Sequence, residues 1–256
     1  METARETIYS HALGWDMTHE IYGHDGLIMF AFPSQDGKVE EYSDFGMIDC
    51  IADKIEQGLV QVVCVDGNDW NSFTANGDES WRIDNQEKYL SYVVEELVPY
   101  ILDRYRDIHG HDYDLPLIST GCSMGATHAL IFTLRFPDVF NYCIGLSGVY
   151  HASFFFPFYH NEKIYFNSPV DMLSHMDYDD PMAHEYRHTH IILCCGQGAW
   201  ENESLDDIKT LDYHFKRLDI PAWCDLWGYD VEHHWYWWRK QLPYFLDHVF
   251  KEVYGH

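Results

Sequence analysis

The chain is poor in positive charge. Its 256 residues include 16 Lys and Arg against 42 Asp and Glu, a formal net charge of −26 at pH 7. A surface this acidic repels phosphate backbones and anionic lipid, so we expect neither general nucleic-acid binding nor a role at a membrane surface. Net charge says nothing about the fold, and it leaves open a small positive site.

The sequence also lacks a long apolar run, an export signal and paired cysteines. No stretch of about 18 apolar residues is present for a membrane-spanning helix. The first residues, METARE, do not combine a basic segment with an apolar one, as a secretory signal does. The seven cysteines have no C-x-x-C spacing of a zinc site and mostly lie in apolar runs. We therefore expect buried free thiols and a cytoplasmic location.

Apolar residues, in contrast, are plentiful. The chain is 46% hydrophobic and 17% aromatic, which excludes global disorder. A single domain of this length buries about three-quarters of its unfolded surface. Because no repeat, low-complexity tract or Pro/Gly/Ser-rich linker divides the sequence, we expect one domain over residues 1–256.

Short β-rich runs alternate with segments of helical periodicity. Six runs are continuously apolar, as expected for strands of a parallel sheet that is covered on both faces: 27–32, 60–65, 116–120, 142–147, 190–195 and 222–227. The segments with helical spacing are 44–57, 85–106, 123–135, 204–218 and 235–253. Residues 8–22 favour an antiparallel pair of strands.

An aromatic segment at residues 150–180 interrupts this alternation. Two interpretations stay open for it: a lid or wall of a substrate pocket, or an ordinary packed excursion. The alternation on either side of the segment predicts an α/β domain with a mostly parallel sheet.

The sequence GCSMG at residues 121–125 matches the G-x-S-x-G pattern of a nucleophile elbow. It lies directly between a predicted strand and a predicted helix, the context that the motif requires. The sharp turn would raise Ser123 above the sheet, and larger side chains at Gly121 or Gly125 would collide with neighbouring elements. Ser123 is therefore the predicted nucleophile, and the backbone N–H of Met124 is a predicted oxyanion donor.

A base and an acid are expected after Ser123, in the order acid and then histidine. The loop after the last strand contains His233 and His234, which compete for the role of base. The loop after the preceding strand contains Glu201, our predicted acid, with Glu203 as the second choice because it resembles a first-turn residue of the next helix.

The second oxyanion donor is expected from the loop after strand 27–32, where the backbone N–H of Ser34 or Gln35 is a candidate. Trp70, His151 and Trp200 follow other predicted strands and are candidate pocket residues. For the Trp70 loop, which is rich in turn formers, structural capping is the favoured interpretation, and core packing is favoured for most of the aromatic residues; His151 stays open between the two roles.

Metal binding has to be considered because the chain has 17 histidines. The sequence contains no H-E-x-x-H motif, and His184, His188 and His190 have i, i+4, i+6 spacing beside an expected strand. We expect a fortuitous surface cluster and no metal.

The chain resembles the esterase branch of the α/β-hydrolase superfamily, the group related to esterase D and feruloyl esterase-like proteins. The resemblance rests on five segments: GCSMGATHA at 121–129, LSGVY at 146–150, YFNSP at 165–169, CGQGAWE at 195–201 and GYDVEHHWYWWRKQLPYF at 228–245. Family members have Gly-x-His-Asp-Trp-x-x-Trp in the last segment. Counted from Trp235 and Trp238, that histidine corresponds to His233, and His234 stands where the family has Asp.

The resemblance implies an α/β-hydrolase fold with a mostly parallel eight-stranded sheet, and a serine-dependent carboxylic-ester hydrolase that needs no cofactor. Its partner would be a small ester, and the net charge of −26 favours a neutral one. An acyltransferase with the same triad and a non-catalytic binding protein on this fold remain alternatives. Exposed aromatic faces would favour a homo-oligomer.

Overall fold

A computed structural model describes residues 1–158 and 160–255 of the chain. Eight strands form one sheet: β1 (Thr3–Ser10), β2 (Trp15–Tyr22), β3 (Leu27–Phe32), β4 (Val60–Val65), β5 (Leu117–Cys122), β6 (Phe140–Leu146), β7 (His190–Cys195) and β8 (Ala222–Leu226). Their order across the sheet is β1-β2-β4-β3-β5-β6-β7-β8. The predicted eight-stranded, mostly parallel sheet is confirmed.

Antiparallel pairing is confined to one side of the sheet. β2 pairs antiparallel with both β1 and β4, whereas every pairing from β4 through β3 to β8 is parallel. β1 and β2 are joined by a turn that includes Gly14 at a positive φ of 87°, a conformation glycine adopts without strain. The antiparallel pair expected within residues 8–22 is therefore present, although its first strand begins earlier, at Thr3.

Helices connect the strands and cover both faces of the sheet. They are α1 (Glu41–Asp44), α2 (Ala52–Glu56), α3 (Glu79–Ser91), α4 (Val98–His109), α5 (Met124–Arg135), α6 (Glu162–Phe166), α7 (Pro169–Ser174), α8 (Pro181–Tyr186), α9 (Asn202–Leu218) and α10 (Trp235–Tyr254). Single-turn 3-10 segments occur at Asp49–Ile51, Asp69–Asn71 and Ala152–Phe154, and a π-helical segment at Tyr92–Leu97 joins α3 to α4.

Two predicted helices differ from the observed ones in continuity. The predicted helix 44–57 is replaced by the last residue of α1, a 3-10 turn and α2, and Gly46 adopts a φ of 73° just after α1. The predicted helix 85–106 begins earlier, at Glu79, where the side chain of Asp78 accepts hydrogen bonds from the first turn. Helix caps and turns with a positive φ are local features, and the spacing of hydrophobic residues alone does not predict them.

Strands β3 to β8 contribute residues to two separate hydrophobic layers. In β3, Phe30 and Phe32 belong to the layer that includes residues of α3, α4, α5 and α9, whereas Met29 and Ala31 belong to the layer that includes residues of α1, α2 and α10. Because both faces are covered, all six residues of β3 are buried. This explains why the strand sequences are continuously apolar rather than alternating.

The segment 150–180 follows β6 and contains short helices, α6 and α7, rather than a strand; its residue 159 lies outside the described residues. Its start is fixed to α9 by Asp207. This buried carboxylate accepts hydrogen bonds from the backbone N–H groups of Tyr150 and His151 and from the His151 ring. The hydrogen bond to Asp207 raises the pKa of His151.

This pair predicts a pH-dependent contribution to stability. Because the pKa of His151 is raised on folding, the contribution is complete below the unfolded value of about 6.5 and is lost as pH rises through the folded value. We expect the loss of Tm caused by His151→Asn to be larger at pH 6 than at pH 9, by thermal unfolding. His11→Asn, at an exposed position, is the control. A loss that is equal at both pH values would contradict the assignment.

Candidate active site

The turn between β5 and α5 leaves no room for side chains on either side of Ser123. A Cβ on Gly121 would collide with the backbone of Gly125, and a Cβ on Gly125 would collide with the carbonyl oxygen of Phe32. Ser123 itself adopts a φ of 56°, and its N–H donates to the carbonyl of Leu146 over 2.8 Å. The close packing thus holds Ser123 in a strained conformation at the carboxyl edge of the sheet.

Cys122, the neighbour of Ser123, points away from this edge. Its side chain is completely buried, and its Sγ lies 3.9 Å from the hydroxyl of Tyr42. Burial raises the pKa of the Cys122 thiol well above its ordinary value. A thiolate at this position is therefore disfavoured, in agreement with the choice of Ser123 over Cys122 as candidate nucleophile.

His233 lies next to Ser123, with its Nε2 2.9 Å from the Ser123 Oγ. The loop after β8 is fixed here because the N–H of His233 donates to the carbonyl of Ala199 over 3.0 Å. The indole of Trp238 packs edge-on against the imidazole, with 4.9 Å between ring centroids. The imidazole is thereby held in place on two sides.

His234 has a different environment. It is the residue before α10, and its Nδ1 accepts a hydrogen bond from the N–H of Tyr236 over 3.2 Å. Its side chain is exposed. Of the two adjacent histidines, the structure thus brings His233 to Ser123 and places His234 at the helix terminus as a cap.

Glu201 is buried beside His233, with its Oε2 3.4 Å from the imidazole Nδ1. Its Oε1 accepts a hydrogen bond of 2.7 Å from the Ser147 hydroxyl and one of 3.3 Å from the Gly196 N–H. Glu203, the other candidate acid, lies in the first turn of α9 and is exposed. Between the two, the structure brings Glu201 to the imidazole.

The loop after β3 supplies the opposite side of the site. The N–H and the hydroxyl of Ser34 both donate to the carboxylate of Glu41, each over 2.6 Å. Burial raises the pKa of Glu41, although these two bonds act in the opposite direction. The Ser34 N–H is therefore engaged elsewhere, and Gln35 is the residue of this loop that lines the cavity with Ser123 and Met124.

A cavity of about 430 Å³ opens at Ser123 and His233. Phe154 and Phe155 line part of its wall, so the start of the segment 150–180 contributes to the cavity. Trp200, one of three predicted pocket residues, also lines it.

The other two predicted pocket residues lie outside this lining. Trp70 packs against Trp15, with 5.9 Å between ring centroids, and His151 pairs with Asp207. The loops that carry them do follow strands, but their side chains are used in packing and in an ion pair.

Two residues that organise the site were not singled out from the sequence. Ser147 directly follows the carboxyl end of β6 and lies in the LSGVY segment that contributes to the family resemblance, but neither feature indicated its role. Glu41 follows its partner Ser34 by seven residues without a recognisable motif, because their contact depends on how α1 packs against the loop.

The described part of the chain contains neither a candidate metal centre nor a candidate membrane-spanning helix. Within residues 1–158 and 160–255, no group of three or more His, Cys, Asp or Glu side chains is arranged to hold a metal ion. Over the same residues, no helix combines the length and apolar character needed to cross a bilayer. Of the histidine cluster near residue 188, His190 instead pairs with Glu252, its Nδ1 lying 2.6 Å from that carboxylate.

Several solved structures share this fold. A ferulic acid esterase superimposes with a TM-score of 0.73 and 18% identity, covering 98% of each chain. An S-formylglutathione hydrolase from Agrobacterium tumefaciens gives a TM-score of 0.72 and 17% identity, covering 98% of this chain and 94% of its own. A fluorophosphonate-binding serine hydrolase from Staphylococcus aureus gives 0.65 and 15%, covering 96% and 97%. At such identities the likeness concerns the fold.

Sequence comparison supplies the family. No curated protein matches the sequence. The family described as "Putative esterase" matches residues 16–248, which is most of the chain. The chain therefore belongs to this esterase family, and it is a carboxylic ester hydrolase with the α/β-hydrolase fold.

Proposed function

We propose that the protein is a serine-dependent esterase that works through an acyl-enzyme, with Ser123 as nucleophile, His233 as general base and Glu201 as the acid of the triad. The observation that carries the proposal is the 2.9 Å contact between the Ser123 Oγ and the His233 Nε2 at the floor of a cavity. A hydroxyl becomes an effective nucleophile when a base at hydrogen-bond distance accepts its proton.

The acylation step follows from this contact. The Ser123 Oγ attacks the ester carbonyl carbon while its proton passes to the His233 Nε2. The resulting oxyanion is stabilised by the N–H groups of Met124 and Gln35, the first of which lies at the amino terminus of α5. Collapse of the intermediate breaks the ester bond, and the alcohol leaves with the proton that His233 carries.

Water completes the cycle by the same route. It attacks the acyl carbon and gives a proton to His233, which returns it to the Ser123 Oγ as the carboxylic acid departs. Glu201 holds the Nδ1–H of the imidazole and stabilises the positive charge that develops there, without accepting the proton itself. A single domain over residues 1–256, in which the segment 150–180 serves as a pocket wall, is part of this proposal.

A small, neutral ester fits the cavity best. Among the described residues that line it, Glu203 is the one carboxylate and neither Lys nor Arg is present. The chain as a whole carries a net charge of −26. Anionic esters are therefore repelled both during approach and in the cavity.

Replacing Ser123 with Ala should abolish turnover of a chromogenic ester and labelling by a fluorophosphonate probe, because both require the Oγ nucleophile. A loss of at least about 10⁴-fold in kcat is expected. Tandem mass spectrometry of peptides from the labelled wild type locates the adduct. Residual activity near the wild-type level would overturn the mechanism, and a wild type that takes up no label would favour a non-catalytic binding protein.

Replacing each of the adjacent histidines tests the base. We expect His233→Ala to lower kcat by about 10⁴-fold, and His234→Ala to lower it by less than about three-fold, because His234 only caps α10. The Tm of His234→Ala should fall instead, since a helix cap is lost. Equal losses of kcat in the two variants would contradict the assignment.

The charge of the cavity is tested with phenyl acetate and 4-carboxyphenyl acetate. We expect Glu203→Gln to raise kcat/KM for the anionic ester by about three-fold relative to the neutral one at low ionic strength, because repulsion from an exposed carboxylate is modest. Added salt should shrink this difference. Glu185→Gln, at an exposed position on α8, serves as the control. An unchanged ratio in Glu203→Gln would show that the cavity does not select on charge.

A further inference from the structure

Glu201 is held by a buried hydrogen-bond chain that begins on α10. The Trp238 Nε1 donates to the Ser147 Oγ over 3.0 Å, and the Ser147 hydroxyl donates to the Glu201 Oε1 over 2.7 Å. Trp238, Ser147 and Glu201 are 3%, 1% and 1% exposed. Because these groups are buried, water competes poorly for their hydrogen bonds, and each group depends on its protein partner for a hydrogen bond.

The direction of the chain follows from the chemistry of its members. An indole N–H only donates, and an ionised carboxylate only accepts, whereas a hydroxyl has one proton to give. Because Trp238 occupies the Ser147 oxygen as donor, the Ser147 proton is directed to Glu201.

Ser147 is held in place for this task by its backbone. It adopts a φ of 58°, and its N–H donates to the carbonyl of Cys194 over 2.7 Å. A non-glycine residue at such a φ carries a conformational cost and is retained where the surroundings demand it. The position lies at the end of β6, next to β7, whose following loop carries Glu201.

We propose that Trp238 and Ser147 are positioning residues that act as one unit: the indole orients the Ser147 hydroxyl, which in turn fixes the Glu201 carboxylate opposite the His233 Nδ1. This inference rests on the proposed triad. Trp238 also touches the imidazole edge-on, so it fixes the base through packing and the acid through its N–H. The two roles are separable, because phenylalanine retains a ring and loses the donor.

The test is a double-mutant cycle on kcat, with active sites counted by fluorophosphonate labelling carried to completion. We expect Ser147→Ala to lower kcat about ten-fold and Trp238→Phe about five-fold, since each loosens hydrogen bonding to a charged group. KM should change by less than about two-fold, because neither side chain lines the cavity. The double variant should lose only about ten-fold, as the indole acts through the serine.

Two controls separate positioning from folding. Ser147→Gly removes the hydroxyl but tolerates the positive φ, so it should match Ser147→Ala in kcat whatever its Tm. Trp223→Phe makes the same exchange in β8, away from the cavity, and should leave kcat unchanged.

Each outcome bears on the inference. Losses that multiply to about fifty-fold in the double variant overturn it, as does a Ser147→Ala variant with wild-type kcat, because both deny that the two residues act as one unit. In either case, the proposed function would still hold if the wild type hydrolyses esters through Ser123. A wild type that hydrolyses no ester overturns the proposed function and this inference together.

Discussion

The site depends on the absence of side chains at the crossing of β5, α5 and β3. Gly121 and Gly125 approach each other and the carbonyl of Phe32 so closely that a single methyl group would push the elements apart. This close approach produces the sharp turn in which Ser123 adopts a strained backbone conformation. It also places the amino terminus of α5 directly beside the serine. The proposed nucleophile Ser123 and the proposed oxyanion donor Met124 therefore depend on the same packing constraint.

The parallel arrangement of the strands brings the remaining groups to the same edge. β5, β6, β7 and β8 are parallel neighbours, and Ser123, Ser147, Glu201 and His233 each lie in the segment that follows one of them. Residues far apart in sequence thus meet within hydrogen-bond distance. Strands β5 to β8 contribute side chains to both hydrophobic layers, so this part of the sheet is packed from both faces.

The buried polar groups of the site are held in place by their partners. Glu41 accepts both donors of Ser34, and Glu201 accepts the Ser147 hydroxyl and the Gly196 N–H. Such groups are costly to bury alone and favourable when every hydrogen-bonding position is used. Among the chain's 42 acidic residues, the half-buried Glu41 and the buried Glu201 thus hold loops of the site, while Glu203 faces the cavity.

The sequence by itself determined the α/β class, most of the strands and the serine at the elbow. Continuous apolar runs are typical of strands covered on both faces, and a serine flanked by glycines is typical of a tight strand-to-helix turn. It also placed Glu201 and His233 in the loops where the structure has them, but it left Glu203, His234 and Ser34 as rivals. Only the tertiary structure decided which of these side chains meet: His234 caps a helix, Ser34 is bound by Glu41, and Trp238 reaches Ser147 across 91 positions of chain. Contacts between such distant residues depend on how the helices pack against the sheet. Hydrophobic periodicity and motif spacing do not predict that packing.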